Sequence, residues 1–142
     1  MRPWIIAGGH RPLYEAAIAR EIQAAVEELF AKYKVDLYIS GHEHSYTRTL
    51  PVYNGVVTQN GTSVFVDPPS CMYIVVGGAG CDEMKTNADG QAYSAPWVYL
   101  HDEHFGTGVL TVHNETHLDW QYLLSDTLAE KDRFTIVRTR ER

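Results

Sequence analysis

Val35-Asp36-Leu37-Tyr38-Ile39-Ser40-Gly41-His42-Glu43-His44 joins a short apolar, β-prone run to a glycine and two histidines spaced i, i+2. Neutral imidazole is a common ligand for zinc and iron. A glycine ahead of the pair permits the sharp turn that would aim both rings into one pocket. A surface loop can hold two histidines by chance, so the pair gains weight from a second stretch of the same kind. Trp4-Ile5-Ile6-Ala7-Gly8-Gly9-His10 is again an apolar run, read as a buried strand, closed by glycine and histidine. Between them, from about residue 13 to 33, Ile18, Ile22, Val26, Leu29, Phe30 and Tyr33 recur every three or four positions. Arg20, Gln23, Glu27, Glu28 and Lys32 fall in the gaps. The spacing predicts one amphipathic helix, its apolar stripe on a core and its polar residues in water, entered at Pro12 and ended at Lys34. Strand, helix and strand within about 40 residues make a βαβ unit with parallel strands. His10 and His42 are therefore expected side by side beyond the carboxyl ends of their strands, the edge where open α/β sheets bind ligands.

Downstream the pattern turns to β. Residues 46–53, 56–58 and 63–66 read as short strands, with Asn54-Gly55 a two-residue hairpin turn and Asn60-Gly61 a second turn. After Pro68-Pro69, residues 72–76 read as a buried strand running into Gly77-Gly78-Ala79-Gly80. That run lacks the Lys and Ser/Thr of a nucleotide loop, so it reads as tight packing or a close backbone approach to the site. Residues 82–106 show little periodicity and read as one long loop, His101 and His104 being ordinary loop histidines within it. Strands return over 108–113, 116–124 and 133–137, with His113 and His117 flanking a turn, before a charged, frayed tail.

The 142 residues suit one domain, and 44% hydrophobic with 21% charged residues fits a globular chain. A formal net charge of −6 argues against nucleic acid and anionic membrane as partners, and no apolar run approaches the roughly 20 residues of a membrane span. Met1-Arg2-Pro3 leads directly into a strand without a signal peptide, so the chain is expected to be part of a longer protein. Cys71 and Cys81 match no zinc motif; they are open to pairing, with two buried thiols the plainer expectation. Asn60-Gly61-Thr62 and Asn114-Glu115-Thr116 have the form of glycosylation acceptors.

Gly9-His10-Arg11-Pro12-Leu13-Tyr14, Gly41-His42-Glu43-His44-Ser45-Tyr46 with Arg48 and Leu50-Pro51-Val52-Tyr53-Asn54, Tyr73-Ile74-Val75 with Gly78-Ala79-Gly80-Cys81, and Asn114-Glu115-Thr116-His117-Leu118 follow one another along the chain. In this order they resemble the purple acid phosphatases of the calcineurin-like metallophosphoesterase superfamily. The resemblance implies an α/β fold: a partial αββα metallophosphoesterase sandwich, one N-terminal βαβ unit followed by mainly antiparallel β. Residues 1–142 would form the C-terminal portion of the catalytic domain, with 1–66 its metal-ligand part and 67–142 its C-terminal β part.

It also implies hydrolysis of phosphate monoesters at a binuclear centre of Fe(III) with Zn, Mn or Fe(II). His10 and His42 would bind the divalent metal and His44 the ferric ion. Ala7 stands where that block usually begins with valine, a departure that touches no ligand. Arg11 is a candidate phosphate contact. Glu43, expected to point away from the metals, is a candidate hydrogen-bond partner for a histidine N–H. The family's GDxG, GDxxY and GNH(D/E) blocks are missing, so the remaining ligands would come from an N-terminal half. This chain alone is expected to bind metal weakly and turn over negligibly. The family resemblance implies a secreted, lysosomal or vacuolar full-length protein. Two other readings compete: a metallophosphoesterase of diesters, disfavoured by residues 46–54 and 114–118, and a non-catalytic module.

Overall fold

The expected βαβ unit is present in the computed structural model, which describes residues 4–80 and 93–139. Strands β1 (Ile6–Gly9) and β2 (Leu37–Ser40) run parallel, in register from Ile6↔Leu37 to Gly9↔Ser40, and flank helix α1 (Arg20–Tyr33). The helix starts later than the periodicity predicts. Adjacent helical residues point about 100° apart, whereas Leu13 and Tyr14 are both fully buried. Residues 13–19 instead fold as a compact loop, closed by the Ala19 N–H on Leu13 O and a Tyr14–Ile18 bridge. The buried face of α1 also differs from the expected stripe. Gln23 and Glu27 are buried while Leu29 and Tyr33 are 50% and 58% exposed.

Those buried polar side chains are satisfied by residues far along the chain. Glu27 accepts the Tyr14 hydroxyl, the Gln23 amide (2.7 Å) and the Asn54 N–H (3.0 Å), and the Gly55 N–H reaches Tyr14 Oη at 2.9 Å. The network ties the residue 13–19 loop and α1 to the hairpin of β4 (Val52–Tyr53) and β5 (Val56–Val57). Its turn, Asn54-Gly55, has both residues at positive φ as expected. Lys34 ends α1 in the left-handed conformation, its N–H on Ala31 O.

Five strands form the first sheet, in the order β1, β2, β7 (Met72–Val76), β3 (Tyr46–Thr49), β8 (Val98–Asp102). β7 is parallel to β2, and β3 runs antiparallel to both β7 and β8. β1 was expected to be buried but is an edge strand paired with β2, and Ile6 is 39% exposed. β8 falls within the stretch read as loop; 82–92 of that stretch lie outside the described residues. The second sheet has the order β6 (Val64–Val66), β11 (Glu130–Val137), β10 (His117–Leu124), β9 (Gly106–Val112). β6 pairs in parallel with β11, so residues 58–63 are a crossing link between sheets, without the expected turn at Asn60-Gly61.

Alternation along the strands separates two cores. Leu37, Tyr46, Met72 and Ile74 meet Leu118, Trp120, Tyr122, Phe134 and Ile136 between the sheets. On the other face, Tyr38, Cys71 and Tyr73 pack with Tyr14 and Val35 under α1. The result is helix on sheet on sheet, each large apolar side chain contributing about 1.5–3 kcal/mol on burial. Cys71 is a buried free thiol; Cys81 lies outside the described residues. Arg138 departs from the expected frayed tail. It is buried against Trp4 and ion-paired with Asp36.

Candidate metal centre

Parallel pairing of β1 with β2 carries His10 and His42 to the same end of the sheet. His10 Nε2 and His42 Nδ1 lie 3.2 Å apart, the rings meeting edge to face at 74°. Two nitrogens each about 2.0–2.1 Å from a tetrahedral zinc would stand about 3.3 Å apart. The two imidazoles thus stand at hydrogen-bond distance, a spacing also compatible with neighbouring ligands on one metal.

The turn itself is made differently from expectation. His42, not Gly41, has positive φ, 68°, a conformation uncommon outside glycine and enriched at functional sites. The Gly41 N–H on His10 O (3.1 Å) and the Glu43 N–H on Gly41 O (2.9 Å) hold it. This turn means that residues 41–44 are not extended, so strand alternation does not set the direction of Glu43. Its Oε1 lies 3.9 Å from His42 Nε2, beyond hydrogen-bond reach. His44 is half-buried. Among the described residues, no three His, Cys, Asp or Glu side chains form a metal-holding group, so His44 does not join His10 and His42 in one.

A cleft of about 780 Å³ opens beside the pair, lined by Arg11, Glu15, Ile18, Arg20, His42 and Glu43 among others. Arg11 is exposed at its mouth, and its carbonyl accepts the Tyr38 hydroxyl at 2.8 Å. Trp97 Nε1–H on Glu15 O (2.7 Å) fixes the far wall. His101 belongs to β8, not to a loop. It is hydrogen-bonded to Thr47 Oγ1 (2.9 Å), and the Tyr93 ring stacks on it at 3.3 Å. Burial, with Glu15, Glu43 and Glu103 nearby, pushes the Tyr93 hydroxyl up to about 12. A half-buried tyrosine and histidine thus stack beside β3, which the sequence pattern did not signal. His104 is exposed and pairs with Asp102 at 3.0 Å; His113 and His117 are exposed at the β9–β10 turn as expected. Asn60 and Asn114 are both exposed.

Residues 1–46 match the calcineurin-like phosphoesterase family, and residues 70–132 match the iron/zinc purple acid phosphatase-like protein C family. A purple acid phosphatase from yellow lupin (Lupinus luteus) seeds superposes with a TM-score of 0.77 at 28% identity, over 96% of this chain and 25% of that one. The chain belongs to the purple acid phosphatase family. Human acid phosphatase type 7 is 33% identical over 141 residues, covering 88% of this chain and 32% of its own length. An Arabidopsis thaliana protein named probable inactive purple acid phosphatase 27 is 30% identical, covering 96% and 24%. The chain therefore spans about a quarter to a third of the length of these relatives. Purple acid phosphatases imply a binuclear metal centre, and the spacing of His10 and His42 is compatible with part of one.

Proposed function

We propose that this chain supplies the histidine side of a binuclear centre that hydrolyses phosphate monoesters, as the C-terminal part of a catalytic domain completed by further chain. The 3.2 Å approach of His10 Nε2 to His42 Nδ1 carries the reading. His10 and His42 would hold the divalent metal (zinc, manganese or iron(II)) and His44 the ferric ion. Two bound metals would offset charge developing on the attacking and leaving oxygens of an in-line displacement.

The protein side of the chemistry follows from the atoms present. For both facing nitrogens to offer lone pairs, His10 must carry its proton on Nδ1 and His42 on Nε2. Glu43 Oε1, 3.9 Å from His42 Nε2, would fix this tautomer if its side chain came within hydrogen-bond reach. Arg11 and Arg20 on the cleft walls give a phosphate local positive charge within an acidic chain. Exposure of Asn60 and Asn114 accords with glycosylation of a secreted, lysosomal or vacuolar protein.

A second reading is a non-catalytic member of the family. It is favoured by a relative named as probable inactive. Assaying the full-length protein on p-nitrophenyl phosphate and on bis(p-nitrophenyl) phosphate separates the cases. The proposal expects monoester turnover that falls about 100-fold or more in His42→Ala, because a lost ligand removes several kcal/mol of charge stabilisation. A preference for the diester would place the protein with the phosphodiesterases, and inactivity with metal bound would favour the second reading.

A further inference from the structure

Gly77 stands where β7 leaves the first sheet, against the backbone of the turn that carries His42. Its N–H donates to Ser45 O at 3.0 Å. A Cβ at this position would overlap the Glu43 carbonyl oxygen and lie 2.9 Å from its carbon, with the Gly41 carbonyl carbon at 3.6 Å. All three are backbone atoms, so no side-chain rotation relieves the overlap.

We propose that Gly77 is a positioning residue for the metal-binding turn, an inference that rests on His10 and His42 being ligands. The space left by its missing side chain lets residues 41–45 settle on the end of β7. His42 is thereby held at φ 68° with Nδ1 facing His10 Nε2. A carbon stands about 3.3 Å or more from a carbonyl oxygen, so an alanine at 77, whose Cβ would lie 2.0 Å from the Glu43 oxygen, would push that peptide away by roughly 1 Å or more. His42 is the neighbouring residue, and ligand distances tolerate only about 0.2 Å. Gly8, on β1, is the matched control. A Cβ there meets Ile39 O at 3.9 Å, an ordinary contact.

The test is zinc affinity, by competition with a chromophoric chelator, in the full-length protein and its Gly77→Ala, Gly8→Ala and His42→Ala variants, with thermal melting of each. The proposal expects Gly77→Ala to bind zinc at least about 10-fold more weakly, as His42→Ala does, while melting within a few degrees of Gly8→Ala. Wild-type affinity in Gly77→Ala, with affinity lost in His42→Ala, would overturn the proposal and leave the ligand assignment standing. Wild-type affinity in His42→Ala would remove the ligand assignment, and the proposal with it. Melting of Gly77→Ala far below Gly8→Ala at every zinc concentration would make Gly77 part of the sheet's frame and also overturn the proposal.

Discussion

Replacing Asp132 by asparagine leaves the Arg48 guanidinium wholly buried against a neutral amide. Arg48 on β3 and Asp132 on β11 join the two sheets through the interior, with exposures of 0% and 7%. Arg48 donates to Asp132 through Nε (2.6 Å) and Nη2 (2.9 Å), and Tyr46 Oη donates to the same carboxylate at 2.6 Å. Trp120 Nε1–H closes the network on Tyr46 at 3.0 Å, and the guanidinium lies over the Tyr99 ring at 3.9 Å. Asparagine keeps the volume, so the loss is electrostatic and not a cavity. Removing one partner of a buried pair costs about 3–5 kcal/mol, a large share of the roughly 5–15 kcal/mol that holds a domain together. Urea denaturation followed by far-ultraviolet circular dichroism measures it, and the melting temperature should fall by about 10 °C or more. The double variant Arg48→Met, Asp132→Leu removes both charges and should be more stable than Asp132→Asn. A loss below about 1 kcal/mol in Asp132→Asn, or a double variant as unstable as the sum of its singles, would refute the reasoning.

Tyr14→Phe should cost about 1–3 kcal/mol in the same assay, because the Gly55 N–H and one side of Glu27 lose their partner; no measurable loss would mean that water replaces the hydroxyl. His101 should make stability sensitive to acid. Burial depresses its imidazole below the ordinary value near 6.5, Glu103 opposing in part. The unfolded chain then takes up this proton at higher pH than the folded one, so the contribution is complete above about pH 6.5 and is lost as pH falls through the folded value. Melting temperature should decline from about pH 6.5 downward, and His101→Gln should flatten that decline; an unchanged slope would assign it elsewhere. Asp102 and Asp119 act lower: burial raises both, but Lys131 and His104 at Asp102, and Thr135, His113 and Arg133 at Asp119, hold them below the carboxylate range. Their stabilising effect is lost only as pH falls below about 4.

Features with a local periodicity were legible in the sequence. The apolar runs before His10 and His42 and the helix between them led to a parallel pair and hence to two neighbouring imidazoles. Of the glycines after β7, Gly77 makes the close backbone approach expected of the run, whereas a Cβ at Gly80 would meet nothing among the described residues within 4 Å. Tertiary satisfaction was not legible. Gln23 and Glu27 look solvated until Tyr14, Asn54 and Gly55 fold over them, and Arg48 is fully buried because Asp132, 84 positions away, faces it, while Thr47 and Thr49 find partners in His101 and the Tyr73 N–H. β8 escaped notice because its burial does not alternate cleanly. The φ of His42 follows from the packing of its turn and leaves no mark in composition.

The account stands most directly on whether His10 and His42 share a metal. Crystals of the full-length protein grown with zinc, measured on both sides of the zinc absorption edge, answer that. The account predicts an anomalous peak about 2.0–2.1 Å from both His10 Nε2 and His42 Nδ1. Zinc bound elsewhere, with the two imidazoles still hydrogen-bonded to each other, would contradict it.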